Sequence, residues 1–141
     1  MRHKDWPIAR DSFQQIFDGH NPAIAVCLGF IYDQKASTLY NQEKAIEYYA
    51  IAANGDDAYA QYALGGILLE KGEPARAIDW YARCSAAGDA NCSYMAYRLH
   101  KNQKNNQEAR IFLERALGIS NCNPETRNLL HTRSFWSAWY T

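Results

Sequence analysis

The chain has 141 residues, 48% of them hydrophobic and 13% aromatic. That is enough apolar material for one domain with a core and too much for a disordered segment. Lys and Arg number 15, as do Asp and Glu, so no overall field draws the protein to nucleic acid or to a membrane surface, and no window approaches the ~18–20 apolar residues of a membrane-crossing helix.

Taken in order, the residues predict eight helices, over 7–18, 22–34, 41–54, 57–71, 74–87, 90–102, 105–117 and 123–139. The first follows a charged start, Met1-Arg2-His3-Lys4-Asp5-Trp6, which does not read as a signal peptide. Asn21-Pro22 opens the second, and a loop around Lys35 to Asn41 separates it from the third. Asn54-Gly55-Asp56 leads into the fourth, where Asp57 can cap the helix by accepting backbone N–H bonds. Ala60, Ala63, Leu64, Ile67 and Leu68 then form an apolar stripe at helical spacing. Gly72 is a natural helix end, and Glu73-Pro74 restarts the chain. In the fifth helix Ala77, Ile78, Trp80, Tyr81 and Cys84 fall on or near the buried side, with Trp80 expected between units. Gly88-Asp89 closes that helix, and Asn123-Pro124-Glu125 opens the last, whose end Phe135-Trp136-Ser137-Ala138-Trp139-Tyr140 is expected either to pack on the final repeat or to serve as a binding handle.

One phrase recurs through this order. Ala45-Ile46-Glu47-Tyr48-Tyr49-Ala50 returns 32 residues later as Ala77-Ile78-Asp79-Trp80-Tyr81-Ala82, and again as Ala109-Arg110-Ile111-Phe112-Leu113-Glu114. Half of it, Ala9 and Phe13, stands 36 residues before Ala45 and Tyr49. A second phrase keeps pace: Leu28-Gly29-Phe30-Ile31-Tyr32, then Leu64-Gly65-Gly66-Ile67-Leu68, then the worn copy Ala96-Tyr97-Arg98-Leu99-His100. Such a period marks a stack of supersecondary units. The expectation is one all-α domain over 1–141 with repeats at about 22–56, 57–89 and 90–121. Helices 7–18 and 123–139 would be half-units covering the open ends.

Leu64-Gly65, Gly72, Ala77 and Trp80-Tyr81 before Ala86-Ala87-Gly88 resemble the Sel-like repeat, a helix-pair solenoid related to tetratricopeptide repeats. Leu28-Gly29-Phe30-Ile31-Tyr32 with Ala45, Tyr48-Tyr49 and Ala52-Ala53 matches equally well. The third unit departs, with Tyr97 where the family prefers glycine and Phe112-Leu113 for the aromatic pair. The resemblance spans about residues 7–118 and implies a right-handed α/α solenoid acting as an adaptor or scaffold, without naming a partner.

Cysteines stand at 27, 84, 92 and 122. None forms a CxxC and none has a histidine at zinc-finger spacing, so no metal is expected. The turn at Gly88-Asp89 would bring Cys84 and Cys92 side by side, either as two small buried residues or as a bridge. Their spacing is similar to the cross-link of secreted, cysteine-rich bacterial Sel-like proteins, and the resemblance therefore implies a Cys84–Cys92 disulfide. Cys27 reads as a core residue. Cys27 and Cys122 belong to opposite ends of the stack, too far apart to pair, and two free thiols suit a cytoplasmic setting as the chain is written. A removed leader and an oxidised Cys84–Cys92 pair would suit the periplasm.

Catalytic motifs are missing. His3, His20, His100 and His131 form no HxxxH or HExxH pair, and there is no G-x-S-x-G elbow, no S-x-x-K, no phosphate-binding loop and no dinucleotide fingerprint. Asp56-Asp57 sits at a helix start, where capping is the expected role, and His100 reads as a partly buried core histidine. The expectation is a protein that is not an enzyme and uses no cofactor.

Helix-pair solenoids bind partners on the concave face lined by first helices. The groove positions lie −5, −2, +2 and +5 from the leucine of Leu-Gly: Ala23, Val26, Phe30 and Asp33; Tyr59, Tyr62, Gly66 and Leu69; and, around Ala96, Asn91, Tyr94, Arg98 and Lys101. The candidate binding residues are Val26, Phe30, Tyr59, Tyr62, Leu69, Tyr94, Arg98 and Lys101, a set running from apolar through tyrosine-rich to basic. Tyrosine and arginine are enriched at binding hot spots, although Tyr59 and Tyr62 would also serve simply to cover the joint between units. The function expected is a bacterial protein-interaction module. It would be an immunity protein or antagonist of a secreted toxin or effector, or alternatively a secretion or envelope accessory. Residues 1–97 carry 8 basic and 12 acidic side chains and residues 98–141 carry 7 and 3. Arg98, Lys101, Lys104, Arg110, Arg115, Arg127 and Arg133 therefore offer a weaker nucleic-acid reading, against which basic residues at this density usually form a solvated helix face.

Overall fold

Every helix start in the chain must satisfy backbone N–H groups that have no intrahelical partner, and short polar side chains do this along the molecule. The computed structural model describes residues 5–118. In it α1 spans Trp6–Ile16, α2 Pro22–Tyr32, α3 Gln42–Asn54, α4 Ala58–Glu70, α5 Pro74–Ala86, α6 Ala90–Asn102 and α7 Asn106–Ala116. Asn21, Asn41, Asp57, Asp89 and Asn105 cap α2, α3, α4, α6 and α7, each side-chain oxygen accepting an N–H from the first turn. Pro22 and Pro74 occupy first helical positions, where a missing N–H costs nothing. The observed ends fall within two residues of the sequence expectation, and α6 coincides with it. The eighth expected helix, Cys122 and the aromatic tail lie outside the described residues.

The described residues form helices joined by turns, with no strand among them, and neighbours along the chain pack on one another. α2 pairs with α3, α4 with α5 and α6 with α7; α3–α4 and α5–α6 contacts join the pairs into a helical-repeat solenoid, while α1 lies on α2. The turns repeat as the sequence does. Asp56 and Gly88, 32 residues apart, both take positive φ (65° and 99°) between pairs; Gly72 and Lys104, again 32 apart, do so within pairs (77° and 59°). A left-handed residue is thus required at each of these turns, and glycine fills only two of the four.

Packing explains the recurring Leu-Gly phrase. A Cβ on Gly29 would lie 2.6 Å from the Tyr49 ring, and one on Gly65 2.7 Å from the Tyr81 ring. The glycine of the first helix leaves room for the tyrosine of the second, so that both rings are buried. The third pair reverses the arrangement: Tyr97 stands at the glycine position, Leu113 at the tyrosine position, and both are buried. Bulk has moved from the second helix to the first. Core volume is thereby kept approximately constant, the kind of change that interiors tolerate.

Two expectations are corrected. Trp80 is half-buried with the Arg83 guanidinium 5.6 Å from its ring, whereas its neighbour Tyr81 is the ring buried between helices. With ~100° between successive side chains, Tyr81 points at the facing helix and Trp80 is turned to its edge, packed on the core only in part. Cys27 is half-buried instead of core, since Ala25, Leu28 and Ile31 take the inward positions of α2.

The joint between α5 and α6 is covalent. Cys84 and Cys92 form a disulfide with their Cα atoms 5.7 Å apart, and beside it the hydroxyls of Ser85 and Ser93 share a 2.7 Å hydrogen bond. The corresponding joint between α3 and α4 carries Ala52 and Ala60 at the cysteine positions, both fully buried. There the Gln61 side-chain amide donates to the Ala53 carbonyl at 3.0 Å.

Candidate partner-binding face

Four of the expected groove residues on the first helices of the pairs, α2, α4 and α6, are exposed rings. Phe30 is 43% exposed, Tyr59 51%, Tyr62 39% and Tyr94 48%, a concentration of exposed rings beyond the scattered apolar residues of an ordinary surface. The rings are not loose. Phe30 lies between Trp6 of α1 and Tyr59 of α4, at 6.3 Å from each. Tyr59 also meets Tyr49 edge-on at 6.2 Å, Tyr62 meets Tyr81 at 5.8 Å and Tyr94 meets Tyr97 at 6.0 Å. Each exposed ring of α4 and α6 thus leans on a buried one, which restricts its position.

Between α1, α2 and α4 lies an open cavity of about 410 Å³, lined by Phe13, Val26, Cys27, Phe30, Ile31, Asp57 and Tyr59. A second depression of about 330 Å³ lies on the other side of Tyr59, lined by Ala58, Tyr59, Tyr62, Asp89 and Asn91. Tyr59 is therefore the wall between an apolar recess and a more polar one. The first has the size and lining of a site for an apolar group.

Polar groups sit at the edges of the apolar cavity. The Tyr49 hydroxyl donates to Asp33 Oδ2 at 3.4 Å. Burial pushes the Asp33 carboxyl above its ordinary range, the Tyr49 bond opposing the shift only in part. The hydroxyls of Tyr49 and Tyr59 are likewise raised, burial first and the Asp33 charge adding to it. Burial, with the Asp57 charge behind it, also raises the Cys27 thiol, so this cysteine is a poor nucleophile.

Of the residues expected on this face, the structure brings Val26, Phe30 and Tyr59 together around the apolar cavity and sets Tyr62 in the second depression. Leu69 lines neither cavity; it is half-buried against the core. On α6 the Arg98 guanidinium lies 6.0 Å from the Tyr94 ring and Lys101 Nζ 5.8 Å from the Tyr97 ring. Arg98 thus lies beside an exposed ring of the row, whereas Lys101 lies beside a buried one. Phe13, Ile31 and Asp57 belong to the apolar cavity although the groove spacing does not include them. Phe13 could have been found, since it stands 36 residues before Tyr49 in the repeat register; Asp57 could not, because capping already accounts for it.

Other candidates resolve into structural roles. Asp57 accepts the Ala60 N–H at 2.8 Å, while Asp56 pairs with Arg83 at 2.7 Å. His100 stacks on Phe112 at 5.3 Å. The donor atoms of Cys84, Asp89 and Cys92 fall within 4.8 Å of one another. Both sulfurs are spent in the disulfide and Asp89 accepts the Cys92 N–H, so this cluster is a capped and bridged turn. Among the described residues no helix is long and apolar enough to cross a membrane.

The chain matches no protein-family model and no curated protein.

Proposed function

We propose that the protein is a non-catalytic interaction module of the Sel-like kind that binds a partner protein on the face formed by α2, α4 and α6. The observation that carries this reading is the row of exposed rings, Phe30, Tyr59, Tyr62 and Tyr94, each set against another ring. Rigid aromatic side chains lose little entropy on binding and dominate interface energetics. A stack of helix pairs presenting a fixed row of rings suits an antagonist that occludes another protein, such as an immunity protein against a secreted toxin. The Cys84–Cys92 bridge favours a second reading, an accessory of the secretion machinery or the cell envelope, because disulfides persist in oxidising compartments.

The test is affinity capture followed by substitution. Tyr62→Ala and Arg98→Glu should each weaken capture of the same partner at least tenfold while circular dichroism stays unchanged. Full binding by both folded variants would move the site off this face.

A further inference from the structure

The apolar cavity between α1, α2 and α4 has two carboxylates at its margins, Asp57 in its lining and Asp33 one turn beyond Phe30. Among the described residues neither forms an ion pair. The ion pairs formed among the described residues engage Asp11, Glu70, Glu73, Asp56 and Glu114, and none involves Asp33 or Asp57. Lys35, whose charge also reaches Asp33, is held on Glu70 by contacts of 3.1 and 3.2 Å. Asp33 is half-buried with one hydroxyl donor, and Asp57 spends one oxygen on the Ala60 N–H. An apolar recess with two partly desolvated carboxylates in or near its lining, neither ion-paired among the described residues, is the complement of an apolar side chain with a positive charge beside it.

We infer that the recess between α1, α2 and α4 takes an extended basic-apolar segment of the partner protein, in which a Leu- to Phe-sized side chain fills the cavity and flanking Lys or Arg reach Asp33 and Asp57. This rests on the proposed binding face and deepens it. The aliphatic or aromatic anchor meets Val26, Phe30 and Tyr59; the cations supply what the two carboxylates lack. Tyr59, shared between the two depressions, sets the direction in which the segment continues toward Tyr62.

A phage-displayed library of random dodecapeptides, selected on the disulfide-intact full chain, tests this. Enriched sequences are then synthesised with fluorescein and titrated by anisotropy against the wild type and variants. The enriched peptides should pair an apolar residue with neighbouring Lys or Arg. The double variant Asp33→Asn/Asp57→Asn should weaken them at least tenfold while keeping the fold, because asparagine at 57 still caps α4 and an amide oxygen at 33 still accepts the Tyr49 hydroxyl. Val26→Trp, which fills the cavity and leaves both carboxylates in place, should weaken them comparably. Acidic or wholly polar consensus peptides, undiminished binding to the double variant, or no enrichment at all overturns the inference. Peptides that ignore the Asp33, Asp57 and Val26 changes but fail on Arg98→Glu would remove this recess as the site and leave the wider face intact. Peptides indifferent to all of these substitutions and to Tyr62→Ala would remove both.

Discussion

A glycine and a tyrosine facing each other account for much of what this chain repeats. At Gly29 and Gly65 any side chain would overlap a buried ring carbon or come within 3.0 Å of it. Gly65→Ala should therefore destabilise the protein by about 1–3 kcal/mol, the range for overpacking a tight core, as read by urea unfolding. A neutral result would mean that the Tyr81 ring has room to move. The same burial holds the Tyr81 hydroxyl at a pKa of about 12 and raises Tyr49 further. A folded-state pKa raised above the unfolded value contributes stability that is complete below pH ~10 and is lost as pH rises through the folded value. Titration by tyrosinate absorbance should accordingly show Tyr49 and Tyr81 ionising only as the fold opens above pH ~10. The glycine–tyrosine pairing was legible in the sequence as a spacing. The choice between Trp80 and Tyr81 was not, since adjacent aromatic residues in a repeat phrase look equally apolar until a partner helix fixes which one faces it.

At the scale of helices and turns, the capping residues and glycines made the boundaries readable to within two residues. The left-handed positions were half hidden, because Asp56 and Lys104 carry none of glycine's signature. Lys104→Gly should raise stability by about 0.5–1 kcal/mol by relieving a side chain at positive φ. The parallel change Asp56→Gly should gain less, since it also removes the contact with Arg83; paired thermal melts of the two variants measure the difference. The α5–α6 joint gives a larger effect. Replacing Cys84 and Cys92 together by alanine should cost roughly 2–3 kcal/mol of chain entropy from the short loop they close and leave the fold intact, since Ala52 and Ala60 already fill the corresponding places. A double variant as stable as the wild type would show that the bridge adds nothing to the folded state.

Across the described stack, stability is shared between neighbours, as in any array whose units touch only adjacent ones. α1 packs on α2 and leaves Ile8 and Ile16 exposed, so hydrogen exchange should be fastest in α1 and slowest in α3 to α5; uniform protection would argue against a modular array. Trp6 is buried against Phe30, so Trp6→Ala should loosen α1 and weaken partner binding together. The repeat register was enough to outline the architecture and to nominate the binding face. The register left the apolar cavity out of view, because the cavity is made where the half-unit α1 meets α2 and α4, and Phe13, Cys27 and Asp57 each have another plausible role in sequence. The charge pattern was legible only as a total: which carboxylates lack a cation depends on Lys35 and Arg83 reaching Glu70 and Asp56 across the stack.

The covalent joint also holds a design rule. Since positions 84 and 92 correspond to 52 and 60 one period earlier, and the alanines there are as deeply buried, the stitch should be transplantable. Ala52→Cys with Ala60→Cys would seam the preceding pair of units by the same geometry. A solenoid closed at two successive joints could then shift its first helices only as one body, which would separate a partner that fits a rigid surface from one that must first pry the units apart.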